Sequence, residues 1–294
     1  MNLRKTILVT GATSGIGKAT AMALAQRGAA VIVHGRDETR THRVAAEIRK
    51  SAARTDVDTA VADFSSLADV RALAAEIRAR FERLDVLINN AALISRTHER
   101  SADGFELQWA VNHLAPFLLT NILRDLLVRS SPSRIVNVSS RVHAGADANF
   151  PGDGASAAAV DPSNAVDGSN TTYHPNAVYG RTKLANILFT FELARRLGGT
   201  GVTANCLHPG VVATNLLADF RGRSRLVSNL VRRGARTAEE GSETPVYLAL
   251  DPGVEGVTGR YFVQRKPEEA SELARDADLA ARLWASSARQ VGCR

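Results

Sequence analysis

The sequence predicts an α/β fold, a doubly wound parallel sheet with helices on both faces. Two observations carry this. Short β-branched runs alternate with longer amphipathic ones through the first two-thirds of the chain. The short runs are also apolar throughout, not alternating, as expected of strands buried on both sides beneath crossover helices. A third feature, a glycine-rich turn directly after the first run, sits where a strand hands over to a helix.

The elements follow in order. Thr6–Thr10 reads as the first strand and Gly15–Gly28 as a helix, then Ala30–His34 as a strand and Thr39–Ser51 as a helix. Val57–Ala62 is a third strand before a helix at Ser66–Arg80, and Leu84–Asn90 a fourth before a long helix within Gly104–Ser130. Arg134–Ser139 and Val202–Leu207 are further strands flanking a helix at about 176–198, and Thr258–Val263 is the last. Pro267–Gln290, with Trp284 and spaced Leu and Ala, reads as a surface-packed helix. No linker divides the pattern, so residues 1–294 are expected to form a single domain.

Two segments break the rhythm. An extended loop is expected at about 141–175, because residues 144–172 contain no Lys or Arg and little to bury. A substrate lid is expected at about 214–236. Within it, Arg221–Arg236 carries six Arg and no acid, interleaved with Leu226, Val227, Leu230 and Val231. That stretch also suits a basic amphipathic helix docking on a membrane surface or an acyl carrier.

Composition removes several classes. With 2 Cys in 294 residues and no CxxC, the chain is no disulfide scaffold. No run approaches the ~20 apolar residues of a membrane span, and Met1–Lys5 lacks a signal peptide's apolar stretch, so a cytoplasmic location is expected. The net charge of +7 points to an anionic partner. A phosphate-bearing cofactor satisfies it as well as RNA does, and no nucleic-acid motif accompanies it. The seven His are scattered, without HExxH or paired Cys/His spacing, so no metal site is expected.

The chemistry begins at Thr10-Gly11-Ala12-Thr13-Ser14-Gly15-Ile16-Gly17. Such a GxxxGxG turn lets the backbone approach a phosphate, and the following helix N-terminus offers free N–H groups to a pyrophosphate. It is a spacing variant of the Rossmann dinucleotide fingerprint. A Walker A reading fails, since Ala12 stands where its first Gly belongs and Ala19 where its metal-binding hydroxyl belongs. The second strand ends in His34-Gly35-Arg36. Where an NAD site places an acid to hold the ribose 2′-OH there is Gly35, followed by a guanidinium suited to a 2′-phosphate. NADP(H) is therefore the expected cofactor.

Tyr179-Gly180-Arg181-Thr182-Lys183 places a phenol and an ammonium on one helix face. A free phenol titrates near 10, and a neighbouring ammonium stabilises its phenolate, bringing it toward working range. The fifth strand ends in Ser139-Ser140, at the sheet edge where open α/β proteins bind ligands. Either hydroxyl suits polarisation of a carbonyl.

Taken together, TGATSGIG at 10–17, Asp63-Phe64, NNAA at 89–92, Asn112, Ser140, YGRTK at 179–183 and HPGVVAT at 208–214 resemble the short-chain dehydrogenase/reductase family in its single-domain form. VNHLAPFLLT at 111–120, KLANILFTFELARRL at 183–197 and EGVTGRYF at 255–262 resemble its retinol-dehydrogenase-like branch. The resemblance implies a catalytic tetrad of Asn112, Ser140, Tyr179 and Lys183. In it Ser140 polarises the carbonyl, Tyr179 donates the proton, Lys183 binds the nicotinamide ribose and lowers the tyrosine pKa, and Asn112 positions a relay water. It also implies Asp63 and Phe64 at the adenine, Asn90 and Ala91 at the adenosine ribose, and Pro209, Gly210, Val212 and Thr214 around the nicotinamide. Gly11, Ser14, Gly15, Ile16, Gly17 and Arg36 complete the cofactor set. The sequence departs from the pattern at Ala92 and Thr182, and most in the 38 residues between Ser140 and Tyr179, where the family has fewer. The long loop falls beside the substrate pocket, so the substrate does not transfer with the motifs.

The resulting expectation is an NADPH-dependent reductase, reversible in principle, acting on a lipophilic ketone, aldehyde or alcohol. The alternative is an NADP-sensing binding protein without turnover. The family's habit of pairing through long helices implies a possible homo-oligomer.

Overall fold

The computed structural model describes residues 4–52, 56–151, 173–212 and 235–293. Its strands are β1 (Thr6–Val9), β2 (Ala30–Gly35), β3 (Val57–Val61), β4 (Val86–Asn89), β5 (Ser133–Val138), β6 (Val202–His208), β7 (Tyr261–Val263) and β8 (Lys266–Glu268). They form one sheet in the order β3-β2-β1-β4-β5-β6-β7-β8, parallel throughout except for the antiparallel β7–β8 edge. The order reverses between β1 and β4, which makes the carboxyl ends of those strands a ligand crevice.

The helices are α1 (Gly15–Gln26), α2 (Glu38–Ser51), α3 (Leu67–Arg80), α4 (Leu107–Trp109), α5 (Ala115–Arg129), α6 (Pro175–Arg196), α7 (Ala238–Leu250) and α8 (Ala277–Gln290). Successive residues of β1 point to opposite faces. Ile7 and Val9 pack with α1, α2 and α7 through Leu24, Ile48 and Leu248. Leu8 packs with α3, α5, α6 and α8 through Val70, Leu118, Leu188 and Leu283. Both faces of the sheet are thus covered, which is why its strands read as unbroken apolar runs.

Most predicted elements lie within a residue or two of the observed ones; the departures have local causes. The helix expected within Gly104–Ser130 contains a π-helical turn, Ala110–Leu114, between α4 and α5. Pro116 has no N–H to give the carbonyl of Asn112, so the usual i→i+4 ladder fails there. Helix α7, which the sequence reading did not anticipate, starts on a Thr237/Glu240 capping box but carries Pro245 inside it. The expected helix at Pro267–Gln290 begins only at Ala277; its first residues belong to β8 and a 3-10 turn at Leu273–Arg275. The β7–β8 turn uses Gln264 and Arg265, both at positive φ (48° and 65°), without the glycine or asparagine that marks such hairpins in a sequence. All of the predicted lid but residues 235 and 236, and most of the predicted long loop, lie outside the described residues.

Candidate active site

The glycine turn leaves β1 and is clasped from two sides. Gly11 adopts φ 63°, and a Cβ there would come within 2.8 Å of the Ala91 Cα. A Cβ on Gly17 would overlap the Gly11 carbonyl and the Asn90 side chain. Thr10 Oγ1 accepts from the amides of Asn90 (2.9 Å) and Ala91 (3.0 Å), while Asn90 Nδ2 donates to the carbonyls of Thr10 (2.8 Å) and Gly11 (3.2 Å). The segment after β4 therefore lies directly against the turn. Ser14 is the N-cap of α1 without a side-chain bond to its first turn, so the side chain does not consume the amides that would meet a phosphate.

On the side expected to meet an adenine, Asp63 Oδ1 accepts from Ser65 N at 2.9 Å. Phe64 is buried, its ring stacked on His34 at 4.5 Å, so it can offer an outside ligand only its main chain. Arg36 is exposed on the turn after β2. At the other end, Gly210 adopts φ 94°, and Val212 pairs with Arg236 through Arg236 N donating to Val211 O at 2.8 Å. A Cβ on Gly241 of α7 would meet both Val212 and Ile16, so the first turn of α7 joins the two halves of the crevice. Pro209 lies between β6 and Gly210. Thr214 lies outside the described residues.

The tetrad residues converge through a hydrogen-bonded knot. Lys183 is buried, donates to Val138 O at 3.0 Å, and sits 5.4 Å from the centroid of the Tyr179 ring. Ser139 Oγ donates to Lys183 O at 2.7 Å, fastening α6 to the end of β5 and leaving Ser140 to begin the 3-10 turn Arg141–Gly145. Asn112 accepts from Leu93 N (2.8 Å) and donates to Leu93 O (2.9 Å) and Thr182 Oγ1 (3.3 Å). Its Nδ2 is fully used by the loop after β4 and by Thr182, so a water here would meet only acceptors, Oδ1 or the main-chain carbonyl. Thr182 in turn donates to Tyr179 O at 2.8 Å.

The electrostatics differ from the expectation at one point. Burial pushes the Tyr179 phenol up, and it lowers Lys183 to about 8. At the phenol burial outweighs the ammonium, which lies 5.4 Å from the ring centroid. The ammonium is directed at Val138 O, and desolvation penalises the phenolate.

Three histidines that the sequence reading passed over buttress the site. His143 Nδ1 donates to Ser140 O at 2.7 Å, while its Nε2 accepts from Ser271 N at 3.2 Å. His208 Nδ1 accepts from Arg141 N at 3.3 Å, and burial with nearby Arg141 holds it neutral to about 4. His34 underlies the glycine turn. The motifs around His34 and His208 assign their rings no partner, and His143 belongs to none, so only the fold reveals these roles.

Comparison with known proteins agrees with this arrangement. Residues 5–162 match the short chain dehydrogenase family. Human retinol dehydrogenase 14 is 43% identical over 98% of this chain and 86% of its own length. Human retinol dehydrogenase 13 is 39% identical over 98% and 85%. Among solved structures, an uncharacterized protein from Mycobacterium paratuberculosis superposes with a TM-score of 0.73 at 30% identity, covering 99% of this chain and 94% of that one. A protein from Beutenbergia cavernae, described as an NAD(P)-dependent gluconate 5-dehydrogenase with bound NADP, gives 0.70 at 28% identity, covering 89% and 96%. With a glycine turn at the switch point of a parallel sheet and relatives matching along nearly its whole length, the chain belongs to the short-chain dehydrogenase/reductase family of oxidoreductases, in its retinol-dehydrogenase-like part.

Proposed function

We propose that this oxidoreductase is NADPH-dependent and interconverts a lipophilic aldehyde or ketone and its alcohol. The observation that carries the reading is the buried Tyr179–Lys183 pair fastened by Ser139 to the strand end that presents Ser140. The glycine turn fits a dinucleotide, because the space a Cβ would fill at Gly17 brings Gly11 and Asn90 together under the α1 N-terminus. Gly11, Ser14, Gly15, Ile16 and Gly17 would hold its pyrophosphate; Asn90 and Ala91 its adenosine ribose; Pro209, Gly210, Val212 and Thr214 its nicotinamide end. When bound, the reduced nicotinamide supplies hydride to the carbonyl carbon.

Two features support the 2′-phosphorylated form. Arg36 is exposed beside the end of β2. At Gly35 the space for a side chain is already filled by Thr13 Cγ2 and Thr41 Oγ1, which leaves no room for the acid of an NAD site.

In reduction, Ser140 holds the carbonyl oxygen and Tyr179, which burial keeps protonated, gives it the proton. Lys183, 5.4 Å from the ring centroid, would stabilise the phenolate left behind. The relatives named as retinol dehydrogenases make a retinoid aldehyde the first substrate to try, beside other apolar aldehydes and ketones. The test is loss of reduced-nicotinamide absorbance with NADPH and NADH separately, with Tyr179→Phe as control. NADPH-dependent turnover lost in the variant supports the reading. Tight NADPH binding without turnover of any substrate favours a binding protein instead.

A further inference from the structure

His34 is buried in the penultimate position of β2, and neither of its ring nitrogens is idle. Nε2 lies 3.2 Å from Ala62 O, which can only accept, so Nε2 carries the proton. Nδ1 is then bare and accepts from Gly11 N at 3.2 Å. The main-chain carbonyl of the same residue accepts from Ala12 N at 2.8 Å. One residue thus takes the first two amides of the glycine turn, one with its ring and one with its backbone. Its ring also grips the end of β3, where Ala62 precedes Asp63 and Phe64, and stacks on Phe64 at 4.5 Å.

Burial holds the ring neutral down to about pH 4, against the opposing pulls of the Ala62 carbonyl and the Asp63 carboxylate. The bare Nδ1 is therefore maintained across the physiological range. Replacing it with an N–H would set two donors against each other at Gly11. Replacing it with an apolar group would leave a buried amide without an acceptor.

We propose that His34, as its neutral Nε2–H tautomer, is a positioning residue of the dinucleotide site, locking the glycine turn to the segment after β3. The inference rests on the reading that this turn binds the cofactor. The pyrophosphate and adenine of one ligand must be met by two separate chain segments, and His34 is the rigid spacer between them. Its effect falls on cofactor affinity and not on the chemical step, because it touches none of the Tyr179, Lys183 and Ser140 group.

The experiment uses the full chain. Long-range ¹⁵N–¹H spectra of the wild type report the tautomer directly, and NADPH titration by fluorescence gives Kd for wild type, His34→Leu and His34→Asn. Leucine fills similar space without an acceptor, whereas the asparagine Oδ1 can still receive the Gly11 amide. The expected result is an Nε2–H tautomer, a rise of about tenfold in Kd and in KM for NADPH with leucine, recovery to within about threefold with asparagine, and kcat at saturating NADPH changed less than twofold. An Nδ1–H tautomer overturns the proposal even if the leucine variant does not fold. So does wild-type affinity in a folded leucine variant, and that leaves the cofactor reading standing. A wild type that binds no nicotinamide dinucleotide overturns both.

Discussion

Asn186 Nδ2 donates to the main-chain carbonyl of Asn112 at 2.9 Å. That carbonyl lacks its helical donor because Pro116 occupies the position that would supply it. Asn186 Oδ1 in turn accepts from His113 Nδ1 at 3.3 Å, and His113 Nε2 accepts from Ser287 Oγ of α8 at 2.8 Å. A chain of three side chains and one carbonyl therefore runs from the C-terminal helix to Asn112. Asn186→Leu should lower kcat/KM about tenfold, since one buried acceptor loses its partner at a cost of about 1–3 kcal/mol. Ser287→Ala, two links away, should cost less than threefold. Steady-state kinetics on both variants, with circular dichroism to confirm folding, check the gradient.

Lys183 should give the reaction its pH dependence. Burial brings it to about 8, so the ammonium is present below that value and is lost as pH rises through it. For carbonyl reduction kcat/KM should be level between pH 6 and 7.5 and fall above about 8 with loss of a single proton. Lys183→Met should be slower by about 10²–10⁴-fold and flat across that limb. A pH–rate profile for both proteins distinguishes this from titration of Tyr179, which burial pushes to higher pH.

Coenzyme choice should respond to Arg36 and resist change at Gly35. Arg36→Ala is expected to weaken NADPH about 10–100-fold and leave NADH nearly unchanged, as for one charge-assisted contact of about 1.5–3 kcal/mol. Gly35→Asp alone should destabilise the fold without conferring NADH use, because its Cβ overlaps Thr13 Cγ2 and Thr41 Oγ1. Adding Thr13→Ser and Thr41→Ala removes both atoms and should restore the melting temperature. Paired Kd and thermal-melt measurements follow both effects.

Trp284 anchors α8 to α5 and α6. Its ring lies 4.9 Å from Phe117, 5.7 Å from Phe189 and 4.4 Å from the Arg196 guanidinium. Trp284→Ala should cost about 3–5 kcal/mol in urea denaturation, while Trp284→Phe should recover more than half of it.

The parallel sheet was readable because its strands are buried on both faces and its glycines mark a turn with few alternatives. Asn112, Ser140, Tyr179 and Lys183 were recognisable only as a set, since each alone has ordinary structural uses. What escaped the sequence was whatever two distant segments create together. His34 acquires a role only when Gly11 and Ala62 meet it. The β7–β8 hairpin escaped because Lys266–Glu268 is wholly exposed and shows no apolar alternation. Helix α7 had a visible capping box, but an internal proline and interspersed polar residues obscured its periodicity.

The pairing of Val212 with Arg236 means the main chain departs from the crevice just after β6 and returns to it at the same spot. Arg236 N and Val211 O form the seam at which the two ends of that excursion meet. The entropy of closing such an excursion grows only slowly with its length. Residues could be added, removed or exchanged there while β6, α7 and the cofactor crevice keep their places. If the expected lid lies there, the seam is a graft junction: lineages sharing one hydride-transfer apparatus could diverge in the molecules they accept by trading that piece.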